Sequence, residues 1–106
     1  MCGIVGYLGE KDSLDIILNG LKRLEYRGYD SAGIAVYNGS TIACCKSKGK
    51  ISKLEKSLSK RKNLKGGLGI GHTRWATHGE TNNVNAHPQV SNSNKLCLVH
   101  NGIMEN

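Results

Sequence analysis

The sequence has 106 residues, which suffices for one small domain and excludes a second independent one. Hydrophobic residues make up 38%, but phenylalanine is absent and tryptophan occurs once, so the core must be aliphatic. The net charge of +7 arises between Lys46 and Lys65, where nine basic residues accompany a single acid, Glu55.

The basic stretch contains no interleaved aromatic residues that would stack on bases. We therefore expect a solvated lysine-rich surface and no nucleic-acid partner. A small nucleic-acid-binding module is the alternative that this cluster alone would support, through salt-sensitive binding to DNA or RNA.

The four cysteines are Cys2, Cys44, Cys45 and Cys97, and they form neither a C-x-x-C pair nor the spacing of a secreted disulfide framework. This cysteine spacing predicts reduced thiols in a cytoplasmic protein. No apolar run reaches the length of a membrane span, and the first residues lack the features of a signal peptide. We expect no association with a membrane.

The first half of the chain predicts a strand, a helix and a hairpin, in that order. Residues 2–8 are aliphatic and bounded by glycines, as in a short buried strand. A helix follows from an N-cap at Asp12 or Ser13 up to Gly28, with leucines and isoleucines at helical spacing. From Ser31, two β-compatible runs are joined by Asn38 and Gly39, which suits a tight type I′ turn.

The second half predicts a surface helix and two more strands. Ile51, Leu54 and Leu58 form one apolar stripe among lysines. The segments "LGIGHT" and "KLCLVH" read as strands, separated by a polar loop over residues 77–94. The chain is therefore of mixed helix and strand content, and it ends where a turn into a new element is expected.

Cys2 is the first candidate for chemistry. Removal of the initiator methionine would place a thiol and a free α-amine on the same residue, and an amine of pKa about 7.7–8.0 can accept the thiol proton. Such a residue is a nucleophile that carries its own base. The alternative is that Cys2 merely fills a strand, as most free cysteines do.

Two further segments carry groups that suit an amide substrate. In "GHTRWATHG", Arg74 can grip a carboxylate with two parallel hydrogen bonds and Trp75 can wall a pocket. The alternative for this segment is a surface arginine beside a core tryptophan. In "HNGIMEN", Asn101 and Gly102 are donors of the type that build an oxyanion hole, although Asn-Gly alone is commonly a turn.

Metal and nucleotide sites are not indicated. The four histidines and four cysteines show neither H-E-x-x-H nor paired C-x-x-C spacing, so we expect no metal. The cluster "GGLGIG" matches neither of the glycine-rich phosphate-binding patterns and reads as a flexible entry to a strand.

Five segments together resemble one family. The segments "CGIVGY", "LEYRGYDSAGIAV", "GHTRWATHG", "NAHPQ" and "HNGIMEN" occur in this order in the class II glutamine amidotransferases. They are most similar to the branch of that family that uses glutamine to convert fructose 6-phosphate to glucosamine 6-phosphate. The motifs span nearly the whole chain and leave only residues 8–20 and 38–65 without a match.

The resemblance implies an α+β fold of the N-terminal-nucleophile hydrolase type, a four-layer α/β/β/α sandwich with the cysteine at the end of a central strand. Residues 1–106 would be about the first half of a glutaminase domain, with the sugar-isomerase domains that bind fructose 6-phosphate absent. We expect the chain alone to be inactive, and the longer enzyme to be a homo-oligomer that needs no cofactor.

The resemblance also assigns roles. Cys2 would attack the side-chain amide of glutamine, with Asn101 and Gly102 as the oxyanion hole. Substrate-binding positions are Arg74, which would hold the α-carboxylate, and Trp75, Thr77 and His78, which would line the pocket. Arg27 would support the nucleophile. The open alternatives are the glutaminase part of another class II amidotransferase and a truncated, non-catalytic product.

Overall fold

The computed structural model describes residues 3–61, 64–75, 86–91 and 97–99, without the side chains of Arg27 and Leu98. Its elements in chain order are β1 (Gly3–Leu8), α1 (Ser13–Arg23), a 3-10 turn (Glu25–Arg27), β2 (Ser31–Tyr37), β3 (Ile42–Lys48), α2 (Ile51–Ser59), β4 (Leu68–Arg74), β5 (Gln89–Val90) and β6 (Cys97–Leu98). None of the helices in these ranges is long and apolar enough to cross a membrane.

The main sheet has the strand order β1-β4-β2-β3, and every neighbouring pair is antiparallel. Helix α1 packs on β1, β4 and β2, and helix α2 packs on β3 and β2. Strands β5 and β6 form a separate two-stranded sheet. Pro88, which directly precedes β5, accepts a hydrogen bond from Cys44, on the side of the main sheet that faces away from the helices. The described layers are therefore helix, sheet, sheet.

Helix α1 begins as predicted but ends earlier. The Asp12 side chain accepts a hydrogen bond from the Leu14 N–H at 3.3 Å. The predicted end at Gly28 is wrong, because the helix stops at Arg23 and a 3-10 turn follows. The apolar stripe ends at Leu24, and Tyr26 beyond it is 85% exposed, so no buried side holds a further helical turn. Gly28 then reverses the chain at φ 81°.

The β2–β3 hairpin is confirmed, with its turn one residue later than predicted. The Asn38 N–H donates to the Thr41 carbonyl at 3.2 Å, so the two central residues are Gly39, at φ 95°, and Ser40. Asn38 stays at the strand end because its side-chain oxygen accepts from the N–H groups of Ser40 and Thr41.

The core is aliphatic, as the composition requires. Helix α2 buries Ile51, Leu54 and Leu58 and turns its lysines outward, which confirms the predicted stripe. Helix α1 lies very close to β4, since a Cβ on Gly71 would be 2.5 Å from Cγ2 of Ile17. Glycine at this position is thus a packing requirement.

The predicted loop over residues 77–94 contains β5, which the sequence reading misses. A two-residue strand is too short to show alternation of apolar and polar residues. Strand β6 falls inside the predicted last strand.

Gly71→Ala tests the contact between helix and sheet. The added methyl overlaps Ile17 and Leu21, so we expect the free energy of unfolding to fall by about 1–3 kcal/mol. The matched control is Gly6→Ala, where a Cβ meets no atom within 4 Å and the change should stay below about 1 kcal/mol. Urea unfolding of both variants measures the difference, and equal losses would contradict the packing argument.

Candidate active site

Arg74 is the last residue of β4, which is an inner strand of the main sheet. Strand β4 pairs with β1 through Thr73 and Gly3, and with β2 through Arg74 and Ser31. The Asp30 N–H donates to the Arg74 carbonyl at 2.7 Å, which fixes the end of the strand. Gly3 directly follows Cys2 in the sequence. The ladders thus bring the start of β1 to the strand end that carries the predicted carboxylate clamp.

The exposures of Arg74 and Trp75 are the reverse of the surface-arginine alternative. Arg74 is only 9% exposed, whereas Trp75 is 51% exposed. Burying a guanidinium costs free energy unless polar groups surround it. This arginine is therefore packed at the end of β4 and does not project from the surface. The alternative of a surface arginine beside a core tryptophan is wrong.

Trp75 forms one wall of a groove with the turn after α1. A Cβ on Gly28 would be 3.8 Å from Cζ3 of the indole, so the ring lies beside the backbone of Gly28. The groove has a volume of about 480 Å³ and is lined by Glu25, Gly28, Tyr29, Lys50, Ser52 and Trp75. Two segments that the sequence reading singled out separately, "EYRGYDS" and "HTRW", therefore lie side by side.

Residues 86–91 pack against the side of the sheet to which the Arg74 side chain points. The His87 carbonyl lies directly over Gly33, where a Cβ would collide with it. The His87 ring stacks on His72 with a centroid distance of 4.5 Å. Sequence reasoning noticed this segment only as the motif "NAHPQ" and assigned it no role.

Comparisons with known proteins agree with this geometry. No protein-family model matches the chain. Over its full length, the chain is 55% identical to glutamine–fructose-6-phosphate aminotransferase (isomerizing) of Clostridium perfringens and to that of Thermococcus kodakarensis, of which it covers 17% each.

Solved structures extend the comparison. Glutamine phosphoribosylpyrophosphate amidotransferase from B. subtilis, complexed with ADP and GMP, superposes with a TM-score of 0.69 at 31% identity. The allosteric regulatory enzyme of purine biosynthesis gives 0.72 at 32%. Each match covers 89% of this chain and 20% of the other. The solved structures that match this chain are N-terminal-nucleophile glutamine amidotransferases.

These matches confirm the predicted resemblance and the α+β fold class. The chain matches the amino-terminal region of the aminotransferases and spans 17% of their length. Five predicted site residues lie outside the described residues: Cys2, Thr77, His78, Asn101 and Gly102. Arg27 is described in its backbone alone. The roles of these residues stay predictions.

Tyr29 lines the groove beside Trp75, and sequence reasoning missed its role. Its hydroxyl accepts a hydrogen bond from the Ile51 N–H at 2.8 Å and donates one to the Glu25 carboxylate at 3.3 Å. Burial and the neighbouring Glu25 carboxylate raise the pKa of Tyr29, and the hydrogen bond from the Ile51 N–H partly offsets this rise. Because Lys50 provides no side-chain cap, the Tyr29 hydroxyl is what caps α2 beside the groove.

The three described cysteines are poor nucleophiles. Burial raises the pKa of the Cys44 thiol to about 11, with a smaller contribution from Cys97. Burial also raises the pKa of Cys45 and of Cys97. Thiolates, not thiols, attack carbonyl carbons, so these positions do not suit catalysis. Within the described part of the chain, no three metal-binding side chains cluster.

Tyr29→Phe tests the cap on α2. Loss of the hydroxyl leaves the Ile51 N–H without its acceptor, and we expect the free energy of unfolding to fall by about 1 kcal/mol. Tyr26→Phe is the matched control, since Tyr26 is 85% exposed, and should change stability by less than about 0.5 kcal/mol. Denaturant unfolding compares the two, and equal effects would rule out the cap.

Proposed function

We propose that this chain is the amino-terminal, glutamine-hydrolysing part of a glutamine–fructose-6-phosphate aminotransferase. The observation that carries the proposal is 55% identity over the whole chain to the Clostridium perfringens aminotransferase. In the longer enzyme, ammonia from glutamine would pass to sugar-isomerase domains and react there with fructose 6-phosphate to give glucosamine 6-phosphate. We expect this enzyme to be a cytoplasmic homo-oligomer that needs neither metal nor cofactor and binds no nucleic acid or membrane.

In the proposed reaction, the thiol of Cys2 attacks the side-chain amide carbon of glutamine. Its proton passes to the α-amine of the same residue, directly or through one water, and then to the departing nitrogen. The carbon–nitrogen bond breaks, ammonia leaves and a γ-glutamyl thioester forms. Water cleaves the thioester to glutamate and regenerates the thiol. Asn101 and Gly102 donate hydrogen bonds to the oxyanion at both stages.

Arg74 orients the substrate in this scheme. Its planar guanidinium can make two parallel hydrogen bonds to the α-carboxylate of glutamine. Burial at the end of β4 supports the role, because a fixed and desolvated guanidinium binds an anion more strongly than a solvated one. Trp75, Thr77 and His78 would line the pocket, with Arg27 in support.

Two alternatives have distinct signatures. Another class II amidotransferase would deliver ammonia to a different acceptor, and the purine-biosynthesis structures match at only 31% and 32% identity. A non-catalytic product would neither release ammonia nor be alkylated by a glutamine analogue. Glucosamine 6-phosphate formation by the full-length enzyme therefore separates the proposal from both.

A thiol-directed glutamine analogue tests the nucleophile. We expect one equivalent of label on Cys2 in the full-length enzyme, and none on Cys44, Cys45 or Cys97, whose pKa values are raised by burial. Peptide mass spectrometry locates the label and shows whether Met1 has been removed. Label on Cys97, or Met1 still in place on active enzyme, would overturn the mechanism.

Arg74→Lys tests the carboxylate clamp. A lysine cannot reproduce the paired hydrogen bonds, so we expect the KM for glutamine to rise about 10- to 100-fold, equivalent to roughly 1.5–3 kcal/mol. Arg23→Lys, at the exposed last turn of α1, is the matched control and should leave KM unchanged. Steady-state glutaminase assays compare them, and an unchanged KM in Arg74→Lys would remove the arginine from the site.

A further inference from the structure

Cys44 and Cys97 lie on opposing layers of the structure. Cys44 belongs to β3, and its thiol donates a hydrogen bond to the Pro88 carbonyl at 4.0 Å, so its side chain points to the β5–β6 layer. Cys97 belongs to β6, where it pairs with Val90 of β5. Pro88 and Val90 are two positions apart in the same segment. The Cys44 thiol is therefore in contact with the layer that carries Cys97.

A cavity between the layers shows where Cys97 lies relative to Cys44. It has a volume of about 210 Å³, and Cys97 lines it together with Ala35 of β2 and Ile42 of β3. Ala35 is the residue paired with Cys44 across the β2–β3 ladder, and Ile42 lies two positions before Cys44 on the same side of β3. The nearest neighbours of Cys44 on its own sheet thus share a cavity with Cys97.

Electrostatic effects agree with this placement. After burial, Cys97 makes the largest contribution to the raised pKa of Cys44, ahead of Cys45, which is the next residue in the chain. Lys46 acts on both thiols and lowers the pKa of Cys44 and of Cys97. The two thiols and the ammonium group therefore form one cluster between the layers.

Two opposing sheets can be joined by a disulfide. The sheets of a β-sandwich pack about 10 Å apart, and cysteines that point inward from both are known to bond across that gap, with Cα atoms about 4.4–6.8 Å apart. Cys44 and Cys97 are both free thiols and partly exposed, so small reagents can reach them. Cys45 points to the helices and is 8% exposed, so it lies on the wrong side of β3 for such a bond.

We propose that Cys44 and Cys97 are an oxidisable pair whose disulfide ties β3 of the main sheet to β6 of the second layer. The oxidant is a small disulfide such as oxidised glutathione. One thiolate of the pair attacks a glutathione sulfur and displaces the first glutathione thiolate. The second thiolate attacks the protein sulfur of this mixed disulfide and displaces the other. Two protein thiols are oxidised, one oxidised glutathione is reduced to two glutathione thiols, and the two protein protons end on these thiols.

The disulfide would constrain the strand that leads to the predicted oxyanion residues. Cys97 precedes Asn101 by four positions in the sequence. Displacing a catalytic group by about 1 Å can cost about 100-fold in rate, so a bond that draws β6 toward β3 should lower kcat for glutamine. This consequence rests on the proposed function, whereas formation of the disulfide does not.

Disulfide mapping tests the pair in the full-length protein. The folded protein is equilibrated with mixtures of reduced and oxidised glutathione, free thiols are blocked with N-ethylmaleimide, and the unreduced digest is analysed by mass spectrometry. We expect a linked pair of peptides that contain Cys44 and Cys97, which dithiothreitol separates. The effective concentration of the two thiols should be at least about tenfold higher in folded than in urea-unfolded protein, because the fold holds them together.

Two serine variants are matched controls, since Cys44 and Cys45 are neighbours on β3 that point to opposite sides. Cys45→Ser should keep the link to Cys97. Cys44→Ser should abolish it, and no link between Cys45 and Cys97 should replace it. The proposal is overturned if both cysteines link equally, if folded and unfolded protein link to the same extent, or if oxidising mixtures give no link.

Glutaminase assays on the same variants test the consequence for catalysis. Oxidation should lower kcat at least about threefold more in Cys45→Ser than in Cys44→Ser, because any reaction of Cys2 with glutathione is common to both. An equal loss would contradict the effect on the oxyanion strand. If neither reduced variant hydrolyses glutamine, the proposed function is refuted, and the mapping still decides whether the disulfide forms.

Discussion

Strand β4 lies between β1 and β2, and its two antiparallel ladders set the position of every other described element. The ladder to β1 brings Gly3 to Thr73, two residues that are far apart in the sequence. Because side chains alternate along a strand, one side of β4 presents Gly69, Gly71 and Thr73 to the helices. The other side presents His72 and Arg74 to the β5–β6 layer and the site. A slip of one residue would bury the arginine beneath α1 and turn the glycines toward the β5–β6 layer.

The short-range features of this fold follow from the sequence. Two β-compatible runs around an Asn-Gly pair define β2 and β3, and helical spacing of leucine and isoleucine defines α1 and α2, because each helix must bury one side. The errors lie at the ends of elements, where a second local feature decides the exact boundary. Helix α1 stops when its apolar side runs out, and the hairpin turn moves by one residue because the Asn38 side chain is already engaged.

Long-range placement could not be obtained from local patterns. Nothing in "GHTRW" shows that the arginine is buried and the tryptophan exposed, since the usual preferences of both residue types are the opposite. The resemblance supplied roles for Arg74 and Trp75, but it gave no reason for Gly33, which is required by the carbonyl of His87 on the neighbouring layer. Where two backbone segments approach each other this closely, the only sign in the sequence is a glycine.

The central position of β4 also sets the order in which the molecule can assemble. Strands β2 and β3 are adjacent in sequence, and α2 packs on both, so these elements can associate over short loops. Strand β1 precedes β2, β3 and α2 in the sequence, yet its hydrogen-bonding partner β4 follows all three. Long-range pairing of this kind is slow, and an unpaired apolar strand invites wrong associations. We therefore expect strand β1 to join the sheet late in folding, so that the predicted nucleophile and the predicted carboxylate clamp meet only once β2, β3 and α2 have associated.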